Sequence, residues 1–397
     1  MKEFFTSVLI VFFAALLIFA GWHTLFDAEE PAKDITVSTA AVSGEGGYYE
    51  QLSDIEKEAY DVMLSSFSEG KSECVIGALP LRTVKSDLKR VTHAVLYDNP
   101  DIFWLNGSYS ATYLSDREEN LAKNIEVEFE TYQFWTYSSD PQRYYDETVG
   151  KADEIAALAS GFSTDYEKAE FLFKYLVDHT EYDNERLNEF YKTIHSSTCE
   201  LIFTPYACLV EGRAVCAGYA KAYKMLLDRC GVDCRYVTGY AGSEGHAWNC
   251  IRLDDKEFYF ADPTWGDGKF QRTDGTVMPD TVKFEYFGMT EGELQLTHTL
   301  DTELLSLPDC RATKYNYFVY NHLVADSFDL DTAVTVIERQ QDRSPAMIRF
   351  TSDSAFNDAI SSLTSYKVNE QLETRFGKEI IVFSNESKRI VYLFRAS

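Results

Sequence analysis

Nowhere in this sequence is there a basic patch or a glycine-rich phosphate loop, so nucleic acid is not expected as a partner. Positive charge is scarce: 37 Lys plus Arg stand against 64 Asp plus Glu, a formal charge of -27. Such an acidic surface favours solubility, and it also attracts cationic, lysine-bearing chains. Apart from the Cys230/Cys234 spacing, no second cysteine pair and no histidine pair stands at zinc-ligand spacing. An Asp/Asn-rich loop with calcium-binding spacing is also missing. The sequence therefore predicts neither a metal nor a cofactor. No internal repeat is present.

The first residues are apolar instead. Phe4 to Phe26 is broken only by Thr6, Ser7, Gly21, His23 and Thr24. A helix of about 20 apolar residues spans a bilayer. Two readings stay open for residues 1–26: a retained signal anchor, or a secretory signal peptide cut near Ala20. A clear small-x-small cleavage site is lacking, which favours the anchor. No cysteine follows closely, so a lipoprotein anchor is not indicated. The expectation is a single-pass membrane protein with an extracytoplasmic domain, or a secreted one. Eight cysteines fit that setting; with one kept free at least one more is unpaired or pairs between chains, and their connectivity is not readable.

Residues 27–47, rich in small and polar residues and containing Pro31, read as a flexible linker. Residues 48–150 read as an α+β accessory region. Ser53 and Glu56 form a capping box before a helix, and Val84 to Tyr97 is a second helical stretch. Ile102 to Leu105 reads as a short strand, and Asn124 to Glu130 alternates as a half-buried one. Thr164 and Glu167 form another capping box at the entry to residues 151–307. Residues 308–397 read as a small α/β layer with helices at Asp329–Arg339 and Ala355–Leu363. A strand at Met347–Phe350 and a hairpin of Glu379–Phe383 with Ile390–Phe394 complete it.

Three segments carry the chemistry. They are Ala214-Val215-Cys216-Ala217-Gly218-Tyr219, then Gly245-His246-Ala247-Trp248-Asn249, then Ala261-Asp262-Pro263-Thr264-Trp265. Together they supply a thiol, an imidazole and a carboxylate, the set that a cysteine nucleophile needs. Helical spacing after Cys216, with Gly231 as a stop, puts the thiol at a helix N-terminus. There, unpaired N–H groups and the positive dipole end favour an anion and offer an oxyanion site. Ala247–Leu253 and Glu257–Ala261 read as strands of a hairpin around Asp254-Asp255-Lys256. That hairpin brings His246 and Asp262 side by side. Asn249 and Asp267 read as surface or turn residues.

This pattern resembles the transglutaminase-like superfamily of papain-like cysteine enzymes, in its bacterial membrane-anchored or secreted form. The likeness extends upstream through Phe171–Asp183 and Tyr206–Val210 and downstream to Glu285–Thr290, roughly residues 150 to 300. It implies an α+β fold: a papain-like core with a nucleophile helix on an antiparallel sheet, an N-terminal α+β accessory region and a small C-terminal α/β layer. It also implies Cys216 as nucleophile, His246 as general base and acid, and Asp262 as orienting carboxylate. Tyr206 is a candidate oxyanion donor. Trp248 and Trp265 are candidate walls of a substrate channel, with core packing as the alternative. The implied activity is acyl transfer from amide groups of proteins or peptides through a thioester. A cysteine peptidase or amidase on protein or cell-wall peptides, and a non-catalytic binding module, stay open beside it.

Overall fold

The computed structural model describes residues 47–396 apart from 193–198, 273–274, 276, 279–280 and 340–344. The expected anchor and nearly all of the expected linker lie outside these residues. No described helix is long and apolar enough to cross a membrane. The architecture is α+β, as the sequence pattern implies.

Near the N-terminus, the Ser53 N–H donates to Glu56 Oε2 at 2.8 Å and starts the helix Asp54–Ser68. A second helix, Val84–Asp98, packs with it against a three-stranded antiparallel sheet. The middle strand, Leu121–Thr131, alternates buried and exposed residues over most of its length, pairing with Glu73–Pro80 on one side and Leu105–Asp116 on the other. The expected strand at Ile102 is corrected: the ladder begins only at Leu105. Ile102, Phe103 and Trp104 are all buried, which no alternating strand with a solvent face allows. They plug a gap instead, Trp104 stacking on Trp135 at 5.1 Å.

The boundary drawn at residue 150 falls within the helix Pro141–Leu158. One apolar cluster runs from Tyr48 through the central sheet. Polar contacts cross at the same place. The Tyr48 hydroxyl donates to the Tyr236 carbonyl at 2.8 Å, and Arg229 pairs with Asp101 at 2.9 Å.

The central sheet has five antiparallel strands. Across it they run His298–Leu300, Cys234–Ala241, Glu244–Arg252, Phe258–Ala261 and Phe287–Met289. The helix Cys216–Arg229 covers it, and Asp165–His179 packs against that helix. The latter opens on the Thr164–Glu167 capping box, and the Tyr223 hydroxyl ties the two together through the Ala169 carbonyl at 2.8 Å. Asn249 corrects the sequence reading: it is fully buried, and its Nδ2 donates to the Ala220 carbonyl at 2.9 Å. Asp267 is half-buried and accepts the Tyr219 hydroxyl at 2.6 Å. All eight cysteines are unbonded, although the thiols of Cys250 and Cys310 touch at 3.4 Å.

The C-terminal layer has a core of its own, built on a four-stranded sheet and the helices Leu330–Arg339, Asp353–Leu363 and Tyr366–Phe376. Its strand Ile390–Arg395 serves two cores. Val391 and Leu393 point into the layer, while Ile390, Tyr392 and Phe394 join the main cluster. The two-residue period of a strand produces that division.

The edge strand His298–Leu300 approaches its neighbour only because residue 239 is glycine. A Cβ there would lie 2.7 Å from Trp248 Cη2 and collide with the Thr299 carbonyl. We expect Gly239→Ala to lower the unfolding free energy by about 1–3 kcal/mol, the usual cost of overpacking. Urea denaturation monitored by tryptophan fluorescence measures it; an unchanged midpoint means the edge strand has room to spare.

Candidate active site

Cys216 is the first residue of its helix, with Val215 as the extended residue before it. The chain reaches this point from a left-handed turn at Gly212 (φ 69°), where a Cβ would press on the His179 carbonyl at 2.9 Å. Arg213–Ala214 then pairs in parallel with Glu181–Tyr182, and Val215 N–H donates to the Ile202 carbonyl at 3.0 Å. The thiol is thus set by a short extended segment on one flank and the helix that it opens on the other. It is 9% exposed. Gly218, two residues in, lets the helix press on the Ile202 carbonyl, only 2.7 Å from where a Cβ would stand.

His246 sits within the strand Glu244–Arg252, and Asp262 follows directly on the strand Phe258–Ala261. Lys256, at φ 68°, turns the chain between those strands. Asp262 caps the short helix Pro263–Gly266, with proline at the first helical position. Its Oδ1 accepts the N–H groups of Thr264 at 3.0 Å and Trp265 at 3.1 Å. Its Oδ2 faces His246 Nε2 at 2.8 Å. A carboxylate only accepts, so Nε2 carries the proton. The ring nitrogen left for the Cys216 thiol, which is the imidazole's other hydrogen-bonding partner, is Nδ1.

Electrostatics follow from this arrangement. Burial opposes charge on His246, but the Asp262 charge and hydrogen bond, joined by Cys216, outweigh it and raise the imidazolium to about 10. Burial also opposes charge on Asp262. The facing His246, with added hydrogen bonding from His298, holds that carboxyl well below the usual carboxylate range. The arrangement can keep a proton on His246 beside a sulfur nucleophile, next to first-turn N–H groups that have no intrahelical acceptor.

His298 was not singled out in the sequence. Its Nε2 lies 3.1 Å from Asp262 Oδ2, and its side chain is fully buried. No motif surrounds it; the only local hint is the β-rich run Thr297-His298-Thr299-Leu300. His246, Asp262 and His298 place ligand atoms within 4.8 Å of one another, near enough for a metal ion. Two N–H···O hydrogen bonds already occupy those facing atoms, and an ion would have to displace both.

Of the other candidates, Tyr206 points elsewhere, its hydroxyl donating to Glu147 Oε2 at 3.1 Å. Trp248 is fully buried, with ring centroids 5.7 Å from His246 and 5.1 Å from His298. Trp265 is half-buried at 6.2 Å from His246 and 4.8 Å from His298. Both tryptophans therefore flank the imidazoles, and only Trp265 retains a partly open face.

Residues 154–263 match the family model of the transglutaminase-like superfamily. The kyphoscoliosis peptidase of Mus musculus is 26% identical over 136 residues, which cover 31% of this chain and 19% of that protein. The Homo sapiens protein of the same name is 26% identical over 131 residues, 30% of this chain and 18% of its own. The chain thus spans about a fifth of the length of these curated relatives. A solved TGase structure shares 17% identity, with 42% of this chain and 47% of that one covered at a TM-score of 0.28. The segment that carries Cys216, His246 and Asp262, in the order given, is thus similar to the transglutaminase-like superfamily over residues 154–263.

Proposed function

We propose that the chain is a thiol-dependent enzyme that forms an acyl-thioester at Cys216 from an amide of a protein or peptide. The observation that supports this is geometric: His246 lies 2.8 Å from the buried Asp262 carboxylate and has the Cys216 thiol as its other partner. In the first step the Cys216 sulfur attacks the amide carbonyl carbon, and first-turn N–H groups receive the oxyanion. His246 gives its proton to the departing nitrogen as the C–N bond breaks. Asp262 stays ionised and steadies the ring throughout. An incoming amine then attacks the thioester carbonyl and passes its proton to His246. Sulfur leaves as thiolate, and a new amide remains. Acyl transfer of this kind is the primary reading.

Hydrolysis is the second reading, with water in place of the amine and a carboxylic acid as product. The name peptidase on the curated relatives favours it, although the shared segment is about a fifth of their length. Incubating the purified full-length protein with a glutamine-bearing peptide and a labelled amine separates the two. Label in the peptide supports transfer, whereas ammonia or cleaved peptide without label supports hydrolysis. Cys216→Ala should abolish both while leaving the fold intact, because a small side chain replaces a small one. Full turnover in that variant would place the chemistry elsewhere. Asp262→Asn should cut turnover by about three to four orders of magnitude, by analogy with loss of a triad carboxylate.

Either activity requires the charged imidazole. Turnover should therefore fall as pH rises through about 10, where His246 loses its proton. The stabilisation from this ion pair has the same sign. It is fully present below the ordinary histidine value and lost as pH climbs through the raised one. A pH–rate profile with its alkaline limb near neutrality would contradict this assignment.

A further inference from the structure

We infer that His298 is a positioning residue for this site: by donating Nε2–H to Asp262 Oδ2, it holds that oxygen toward His246 and keeps it an anion. The inference rests on the proposed function and names a fourth participant in the same machinery.

Asp262 has two oxygens and four donors. Oδ1 takes the N–H groups of Thr264 and Trp265, which fixes one end of the carboxylate. That end alone leaves Oδ2 free to swing. Oδ2 is pinned by two imidazoles from two different strands, His246 at 2.8 Å and His298 at 3.1 Å. A second N–H on Oδ2 also lowers its appetite for the Nε2 proton of His246, so the ring keeps that proton while Nδ1, on the Cys216 side, serves a departing amine.

His298 is itself held for the task. Asp262 Oδ2 only accepts, so His298 Nε2 carries a proton, and Thr297 Oγ1 steadies the ring from the other side at 2.7 Å from Nδ1. Trp248 and Trp265 bracket the ring at 5.1 and 4.8 Å, and its side chain is fully buried. A plain packing role would not require the nitrogen to face a carboxylate. Other titratable groups whose charge reaches Asp262 come from three further elements: Lys388, Tyr286 and Tyr182. None of these changes in the variants below, so a shift in pH behaviour reports on His298.

The test follows the alkylation of Cys216 by iodoacetamide in the full-length protein, read by mass spectrometry across pH. Selective alkylation of Cys216 in the wild type checks the underlying reading first. Without it the proposed function fails, whatever His298 does. Given that, His298→Phe, which keeps a ring but removes the donor, should move the acid-side midpoint of the alkylation rate up by about one pH unit. The direction follows because an Asp262 with one donor fewer is protonated at higher pH and no longer supports the imidazolium. His298→Gln, whose amide supplies an N–H in the same place, should return the midpoint to within about 0.3 of wild type. Equal shifts in both variants, or none in either, overturn the inference. Should His298→Phe fail to fold, Thr297→Val carries the test, because it leaves the ring and removes the hydroxyl on Nδ1. A smaller shift in the same direction is expected there, and an unmoved midpoint overturns the inference.

Discussion

A carboxylate with no solvent contact dictates the geometry at the centre of this protein. Asp262 is fully buried, and an ion in that position is tolerated only when its lone pairs are filled with good geometry. Four donors meet the need: two backbone N–H groups of the helix that it caps and two imidazoles on separate strands. Each donor must therefore arrive at a defined distance, and so must the element that carries it. The close approach allowed by Gly239, the turn at Lys256 and the proline after Asp262 are local means to that end.

The same carboxylate links the site to the C-terminal layer. Asp262 N–H donates to the Tyr286 carbonyl at 2.8 Å, and the Tyr286 ring lies beneath the Lys388 ammonium at 3.7 Å. Lys388 Nζ also donates to the Glu285 carbonyl at 3.1 Å. Burial pushes that lysine down to about 8, with the Glu285 charge opposing the shift. A residue of the last hairpin thus acts on the backbone segment that pairs with Asp262. Since the strand Ile390–Arg395 contributes to both apolar cores, movement of the layer against the sheet would disturb packing on both of its faces.

Local signals in the sequence were readable because their physics is local. The Thr164–Glu167 box, the stop at Gly231 (φ 74°) and the hairpin around Lys256 all appear where the chain pattern puts them. The helix Pro141–Leu158 had an equally local signal, an Asp140 cap followed by Pro141, and it passed unread. His298 is different. Its strand pairs with residues 239–241, nearly sixty positions earlier, and its partner Asp262 lies 36 residues away. No short window contains either relation. Asn249 misled for a related reason: a polar residue reads as exposed until the Ala220 carbonyl above it on another element is known. The run Ile102–Trp104 looked like a strand because apolar composition alone does not separate a ladder from a plug.

The choice between an amine and water cannot lie in the thiol, imidazole and carboxylate, if these act as proposed. Both nucleophiles approach the same thioester carbonyl and surrender one proton to the same nitrogen of His246, so the electrostatics favour neither. Discrimination must then come from how the surroundings of Cys216 treat bulk water. Cys216 and His246 are each 9% exposed, and Trp265 covers the adjoining imidazole with a half-open face. Low exposure beside an aromatic ring slows random water attack and rewards a nucleophile that binds before reacting. If transfer is the reaction, binding is where the charge of -27 would enter, since such a surface attracts an ammonium-bearing chain and not water.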